Sequence, residues 1–231
     1  MSDALARYQD GTYLNATSGD WDLSDSAFKA HEVLRMLSKH SIRPASVCDI
    51  GCGAGGILHE MQVALPADVQ FTGYEVSPQA HELSRQFAND RCRFLLRDPF
   101  TDGLHCDVAL AMDVFEHVED CFAFLRQMQK KATHKLYHIP LEVHASAALR
   151  GVNAWDTVGH LHQFSRETAL RTIEQSDHQV VDWWLTGPAD TESITARTRL
   201  AHKVRRSVAA LAGKQFASRL LGGYSLLVLA A

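Results

Sequence analysis

The 231-residue chain has no apolar run approaching the roughly 20 residues that cross a bilayer as a helix. Its opening residues, MSDALARYQDGTY, carry acids and no apolar stretch, unlike a secretory leader. The five cysteines, Cys48, Cys52, Cys92, Cys106 and Cys121, are odd in number and include no C-x-x-C pair. That argues against a disulfide framework or a zinc knuckle, and for reduced thiols in the cytoplasm. Internal repeats and low-complexity linkers are missing too. Acids are absent after Glu192, so the first 192 residues hold 16 Lys/Arg against 27 Asp/Glu, and Arg197–Arg219 carries seven bases. With a pI near 6.3 for the whole chain, general nucleic-acid binding is not expected.

What is present is an ordinary globular composition, 46% hydrophobic and 22% charged. The length suits one full-sized α/β domain spanning 1–231. Apolar residues at helical spacing predict a helix over Ser26–His40, with Ser24 or Ser26 as its cap and Pro44 beyond it. Thereafter β-rich and helical segments alternate. Strands are expected at Ser46–Ile50, Val69–Tyr74, Cys92–Leu96, Cys106–Met112, Lys135–Ile139, Gln179–Leu185 and Tyr224–Leu229. Helices are expected near Ile57–Leu65, Pro78–Asn89, Phe122–Lys131 and Ser165–Ser176, the last opening on a cap-like S-R-E-T. This order predicts a Rossmann-like, seven-stranded, mostly parallel sheet with helices on both faces. Ligands in such sheets bind beyond the carboxyl ends of the strands, so the loops after Ile50, Tyr74, Leu96 and Met112 should converge.

The first of those loops, Val47–Gly56 (VCDIGCGAGG), runs from a strand through glycines into a helix. Glycines let the backbone turn sharply and a ligand approach closely. Gly51, Gly53 and Gly56 fit the dinucleotide pattern G-x-G-x-x-G, and Glu75 follows at about the 20-residue spacing of a ribose-binding acid. A nicotinamide-dependent oxidoreductase remains open on those residues alone. Asp49 discriminates. A carboxylate at the mouth of the loop would repel a pyrophosphate but suit an ammonium and a sulfonium.

Asp49-Ile-Gly51-Cys52-Gly53-Ala-Gly55 resembles the first motif of class I S-adenosylmethionine-dependent methyltransferases, in their small-molecule branch. Gly73-Tyr-Glu75-Val76 resembles the family's ribose motif, and Arg97-Asp98-Pro99-Phe100 the loop whose acid approaches the adenine amine. Asp107 to Val118, with Met112, Asp113, Val114 and His117, is similar to the fourth strand and turn that line the methionine half. Tyr13, Trp21 and Ser26–Lys29 resemble an N-terminal segment that closes over the cofactor. Gly159-His160-Leu-His162-Gln-Phe164-Ser165 and Gly222–Leu226 resemble later stretches of one bacterial branch. The resemblance implies S-adenosylmethionine as cofactor, held by Asp49, Gly51, Cys52, Gly53, Gly55, Glu75, Val76, Asp98, Pro99, Met112, Asp113, Val114 and His117. It also implies a division into an N-terminal cap and first helix (1–45), a cofactor-binding core (46–140), an acceptor-side connection (141–164) and a basic helical insertion (187–221). A non-catalytic domain that binds the cofactor without turnover is the third reading.

Methyl transfer to oxygen or nitrogen is helped by a base with a pKa near working pH, and the chain has 13 histidines. His160 and His162 are the candidates for base, with His117 nearer the cofactor. Tyr13, Trp21, His138, His144 and Trp155 are the candidates for contact with a small-molecule acceptor, methylated at oxygen. His138, Glu142, His144, His160 and His162 offer metal donors, but their spacing fits no standard zinc pattern and no metal is expected. Cys48 and Cys52 flank the loop as packing residues. In the tail, Leu200, Val204, Val208 and Leu211 form one helical stripe, with Arg199, Lys203 and Arg206 on much of the opposite side. The stripe is expected to pack on the sheet. The alternative is that residues 197–219 meet an anionic lipid surface or a phosphate-bearing acceptor.

Overall fold

The computed structural model describes residues 23–101, 103, 105–149, 159–187 and 196–231. Seven strands form one sheet: β1 (Ser46–Ile50), β2 (Gln70–Glu75), β3 (Cys92–Leu96), β4 (Cys106–Met112), β5 (Ala132–Pro140), β6 (Val180–Thr186) and β7 (Ser225–Ala230). Their order is β3-β2-β1-β4-β5-β7-β6. All pairs are parallel except those of β7, which runs antiparallel to both β5 and β6. β1 pairs with β2 on one side and β4 on the other, so the connection reverses direction at β1. Sheets of this kind bind ligands beyond the strand ends at such a reversal point.

Strand alternation sorts the core into two layers. Val47, Val108, Leu110, Leu136, Leu227 and Leu229 meet Ala30, Val33, Met36 and Leu37 of α1 (Leu23–Lys39) and Leu58 and Met61 of α2 (Gly56–Ala64). Their neighbours Ala109, Ala111, Tyr137, Ile139, Leu226 and Val228 pack on the other face. There they meet α4 (Cys121–Gln129), α6 (Arg166–Glu174) and α8 (Lys214–Leu221), through Leu125, Met128, Ile173 and Ala217. Each fully buried Leu, Ile, Val or Met contributes about 1.5–3 kcal/mol, so the sheet is held from both sides. The remaining helices are α3 (Pro78–Ser84), α5 (Ala145–Ala148) and α7 (Ala196–Ala212). Polar ties extend α1 to the far edge. Trp184 Nε1 donates to Glu32 at 2.6 Å, and Lys39 and His40 both reach Asp182.

Two sequence expectations are corrected. α1 begins at Leu23, so Ser24 and Ser26 lie within the helix and do not cap it, and Ser26 is buried against Gly56. The tail stripe does not pack on the sheet as a whole. Leu200, Val204 and Leu211 are 64%, 46% and 89% exposed, and among the described side chains of this helix Val208 and Ala209 rest on the core. Gly213, at φ 88°, separates α7 from α8 as its conformational freedom allows.

Candidate functional site

The glycine loop is shaped by contacts that admit no side chain. Gly51 (φ 73°) and Gly55 (φ 81°) adopt left-handed backbone, and a Cβ at Gly55 would lie 2.7 Å from the Phe94 ring. Gly51 N and Cys52 N both donate to the Tyr74 carbonyl, which locks the loop to the end of β2. That brings Glu75 under it. Glu75 Oε2 accepts from Gly53 N at 2.9 Å, and Oε1 accepts from Val76 N and Ser77 N at 2.8 Å. Burial raises the Glu75 pKa while these three N–H groups oppose the rise. Oε1 thus already accepts two donors, and Oε2 keeps a lone pair for a further one.

Asp49 is fully buried, and both its carboxylate oxygens lack a hydrogen-bond partner. Enclosure first, and then the neighbouring Glu75, push its pKa up to about 8, with Lys29 pulling the other way. A carboxylate left without a donor beneath a glycine loop suits a cationic ligand group. Asp98 stands exposed beyond β3, its Oδ1 accepting from Phe100 N at 2.8 Å, with Pro99 buried beside it. Val76 follows Glu75, Val114 sits against Gly51, and Met112 is buried at the end of β4.

Asp113, at φ 58°, turns the chain after β4 and takes two partners. Its Oδ2 lies 2.8 Å from Lys29 Nζ and its Oδ1 2.7 Å from His138 Nδ1. Although burial opposes them, His138 and then Lys29 hold its carboxyl well below the usual carboxylate range. His138 Nε2 meets Thr186 Oγ1 at 3.0 Å, so both ring nitrogens are engaged and the residue is buried. His138 thereby links the turn after β4 to β5 and β6. His144 caps a helix. Its Nδ1 accepts from Ala147 N at the start of α5, and its ring lies where a Gly222 side chain would stand.

The other histidines gather after β4. Phe115–His117 forms a 3-10 turn, and Leu161 N and His162 N both donate to Glu116 O, at 2.8 and 3.0 Å. His162 Nε2 reaches the Val118 and Glu119 carbonyls, at 2.8 and 3.2 Å, so that nitrogen carries the proton and cannot act as base. His117 and His160 meet edge to face with centroids 4.6 Å apart. His117 Nδ1 lies 3.2 Å from Gly159 O. Burial, then the His160 ring, lower the His117 pKa to about 4, so it is neutral at physiological pH. Ligand atoms of Glu116, His117 and His160 lie within 4.8 Å of one another. Sequence reasoning places His117 and His160 at the site but passes over Lys29 as a partner of Asp113, and over Glu116. The signal for Glu116 is an acid in the turn after a buried strand, directly before His117. Tyr13, Trp21 and Trp155 lie outside the described residues.

The fold is that of class I methyltransferases, with the glycine loop and two following acids at the reversal point. A model of the methyltransferase domain family matches residues 24–183. Ajmaline N-methyltransferase of Rauvolfia serpentina is 29% identical over 99 residues, 39% of this chain and 33% of that protein. The chain thus aligns with about a third of the length of the curated relatives it matches. Magnesium protoporphyrin IX methyltransferase (ChlM) from Synechocystis PCC 6803, crystallised with SAH, superposes with a TM-score of 0.61 at 15% identity over 91% of this chain and 84% of that one. A chain of the complex between the Haloferax volcanii Trm112 methyltransferase activator and the putative methyltransferase gives 0.64 at 14% identity, covering 100% and 98%. With the family model spanning well over half of it, this chain belongs to the methyltransferase domain family. The dinucleotide reading of its glycine triplet gives way accordingly.

Proposed function

We propose that the chain transfers a methyl group from S-adenosylmethionine to a small-molecule acceptor, at an oxygen atom. The observation that carries this reading is the buried, donorless Asp49 carboxylate at the lip of the glycine loop. It would take the ammonium of the methionine moiety, Glu75 the ribose hydroxyls, Asp98 the adenine amine, and Met112, Asp113 and Val114 the methionine half. S-adenosylmethionine when bound supplies an electrophilic methyl group on a good leaving group. The protein then has to hold the acceptor in line and keep water out. Residues 46–140 bind the cofactor and 141–164 present the acceptor, whose hydroxyl proton passes to His160, with Glu142 beside the ring. An amine acceptor is the competing reading, favoured by the likeness to an alkaloid N-methyltransferase.

Calorimetry with S-adenosylmethionine and NADH tests the assignment. Only the former should bind, and Asp49→Ala and Glu75→Ala should each cost about 1.5–3 kcal/mol of affinity. Near-wild-type affinity in both variants would overturn it. His160→Ala should lower turnover and keep cofactor affinity, and the product's mass and connectivity separate oxygen from nitrogen. The exposed apolar stripe of α7, with Lys203 and Arg206 on the same helix, supports contact with an anionic surface. Co-sedimentation with phosphatidylserine vesicles that fails even at low salt would end that part.

A further inference from the structure

A carboxylate enclosed with no donor is costly to fold around unless something neutralises it. Glu116 is in that position. The residue is fully buried and neither carboxylate oxygen has a hydrogen-bond partner. The charges around it make matters worse: Asp113 and Glu142 both repel it, and Lys29 is the opposing cation. Lys29 is itself bound to Asp113. Two imidazoles, His117 and His160, bring their ligand atoms within 4.8 Å of the Glu116 carboxylate and of each other.

We propose that Glu116, His117 and His160 bind a divalent transition-metal ion, with Glu142 as the outer carboxylate behind His160; the ion takes the Nε2 lone pair that the base role of His160 would use, so the two roles of this residue exclude each other. The donor set is two nitrogens and one oxygen, which suits Mn2+, Fe2+ or Zn2+ better than Mg2+ or Ca2+, which take oxygen ligands. Metal–ligand bonds of about 2.0–2.2 Å would draw the donors to about 3–3.5 Å apart, an inward shift within the reach of side-chain rotation. Outer contacts that orient metal-bound histidines are already in place. His117 Nδ1 faces the Gly159 carbonyl at 3.2 Å, so the lone pair belongs to Nε2. Glu142 Oε2 lies 2.9 Å from His160 Nδ1, though misaligned for a hydrogen bond, and a small ring rotation would align them. The ligand-bearing segments are tied together by Leu161 N and His162 N on Glu116 O and by His162 on the carbonyls of Val118 and Glu119. The set is thus held before any ion arrives. Of the other donors that the sequence offers, His138 has both ring nitrogens engaged and His144 Nδ1 accepts from Ala147 N.

The test needs neither acceptor nor turnover. The full chain, stripped with chelator, is titrated with Mn2+ and Zn2+ by calorimetry and analysed for bound metal after desalting, with Mg2+ as the control. One Mn2+ or Zn2+ per chain is expected, with nitrogen couplings in the Mn2+ spectrum and a rise in Tm. Glu116→Gln and His160→Gln should each weaken binding at least 10-fold while S-adenosylmethionine affinity stays near wild type, which also certifies folding. Glu142→Gln, which removes the carboxylate behind His160, replaces either variant if that affinity is lost. No stoichiometric ion, or equal binding in the variants, would overturn the site. Cofactor binding without metal ends this inference and leaves the methyl-transfer reading standing; metal without cofactor does the reverse.

Discussion

Asp49 in the folded, unliganded protein keeps its proton to about pH 8, whereas its ordinary value is 3.8. The folded state therefore binds more protons across that interval, and the contribution of Asp49 to stability declines as pH rises from about 4 to about 8. A cationic ligand reverses the preference by favouring the carboxylate. Binding of S-adenosylmethionine near pH 7 should release a proton, read as a dependence of calorimetric enthalpy on buffer ionisation heat. Asp49→Asn should abolish that dependence. The glycines make a separate claim. Gly55→Ala combines a left-handed backbone with a Cβ 2.7 Å from Phe94. A loss of about 2–4 kcal/mol in urea unfolding is expected, from backbone strain and overpacking together. Phe94→Leu in the same chain should recover part of it. No recovery would mean that the cost is backbone strain alone.

At the scale of elements, periodicity located most of what the chain builds. All seven strands fall within two residues of expectation at their ends except at the start of β5, which begins at Ala132. The S-R-E-T opening is a capping box, Ser165 Oγ accepting from Thr168 N while Thr168 Oγ1 accepts from Ser165 N. These features are local, so neighbouring residues encode them. The stripe on α7 shows where that logic stops. Leu200, Val204 and Leu211 share a face by spacing, but whether another surface covers the face depends on where the helix lies, which spacing does not contain. Leu200→Gln and Leu211→Gln should each change stability by no more than about 0.5 kcal/mol. Ala217→Leu, on the buried side of α8, should cost about 1–3 kcal/mol through overpacking. A large loss for the leucines would place the stripe against the sheet after all.

Across the whole molecule, the strand order decides which distant residues meet. The glycine loop and its acids were legible because one short segment carries the backbone turn, the carboxylate and the helix start. Lys29, Asp113, His138 and Thr186 were not, since they come from α1, the turn after β4, β5 and β6 and meet only once the sheet is assembled. The same holds for Glu116 and His160, brought together by the bonds of Leu161 N and His162 N to Glu116 O. His138 shows why: a histidine near the end of a central strand faces either cleft or interior, and the sheet's neighbours choose.

The packing of α1 on the glycine loop has a thermodynamic consequence. Ser26 occupies the space that a Gly56 side chain would need, and Lys29, one turn on, reaches Asp113 at the far side of the crevice. A ligand seated between them would bind best to the state in which α1 is docked. Detachment of α1 and departure of the ligand are then linked equilibria that share one free energy. Amide protons of Val33 to Leu37 should exchange with solvent more slowly in proportion to ligand saturation, although none of them touches the ligand.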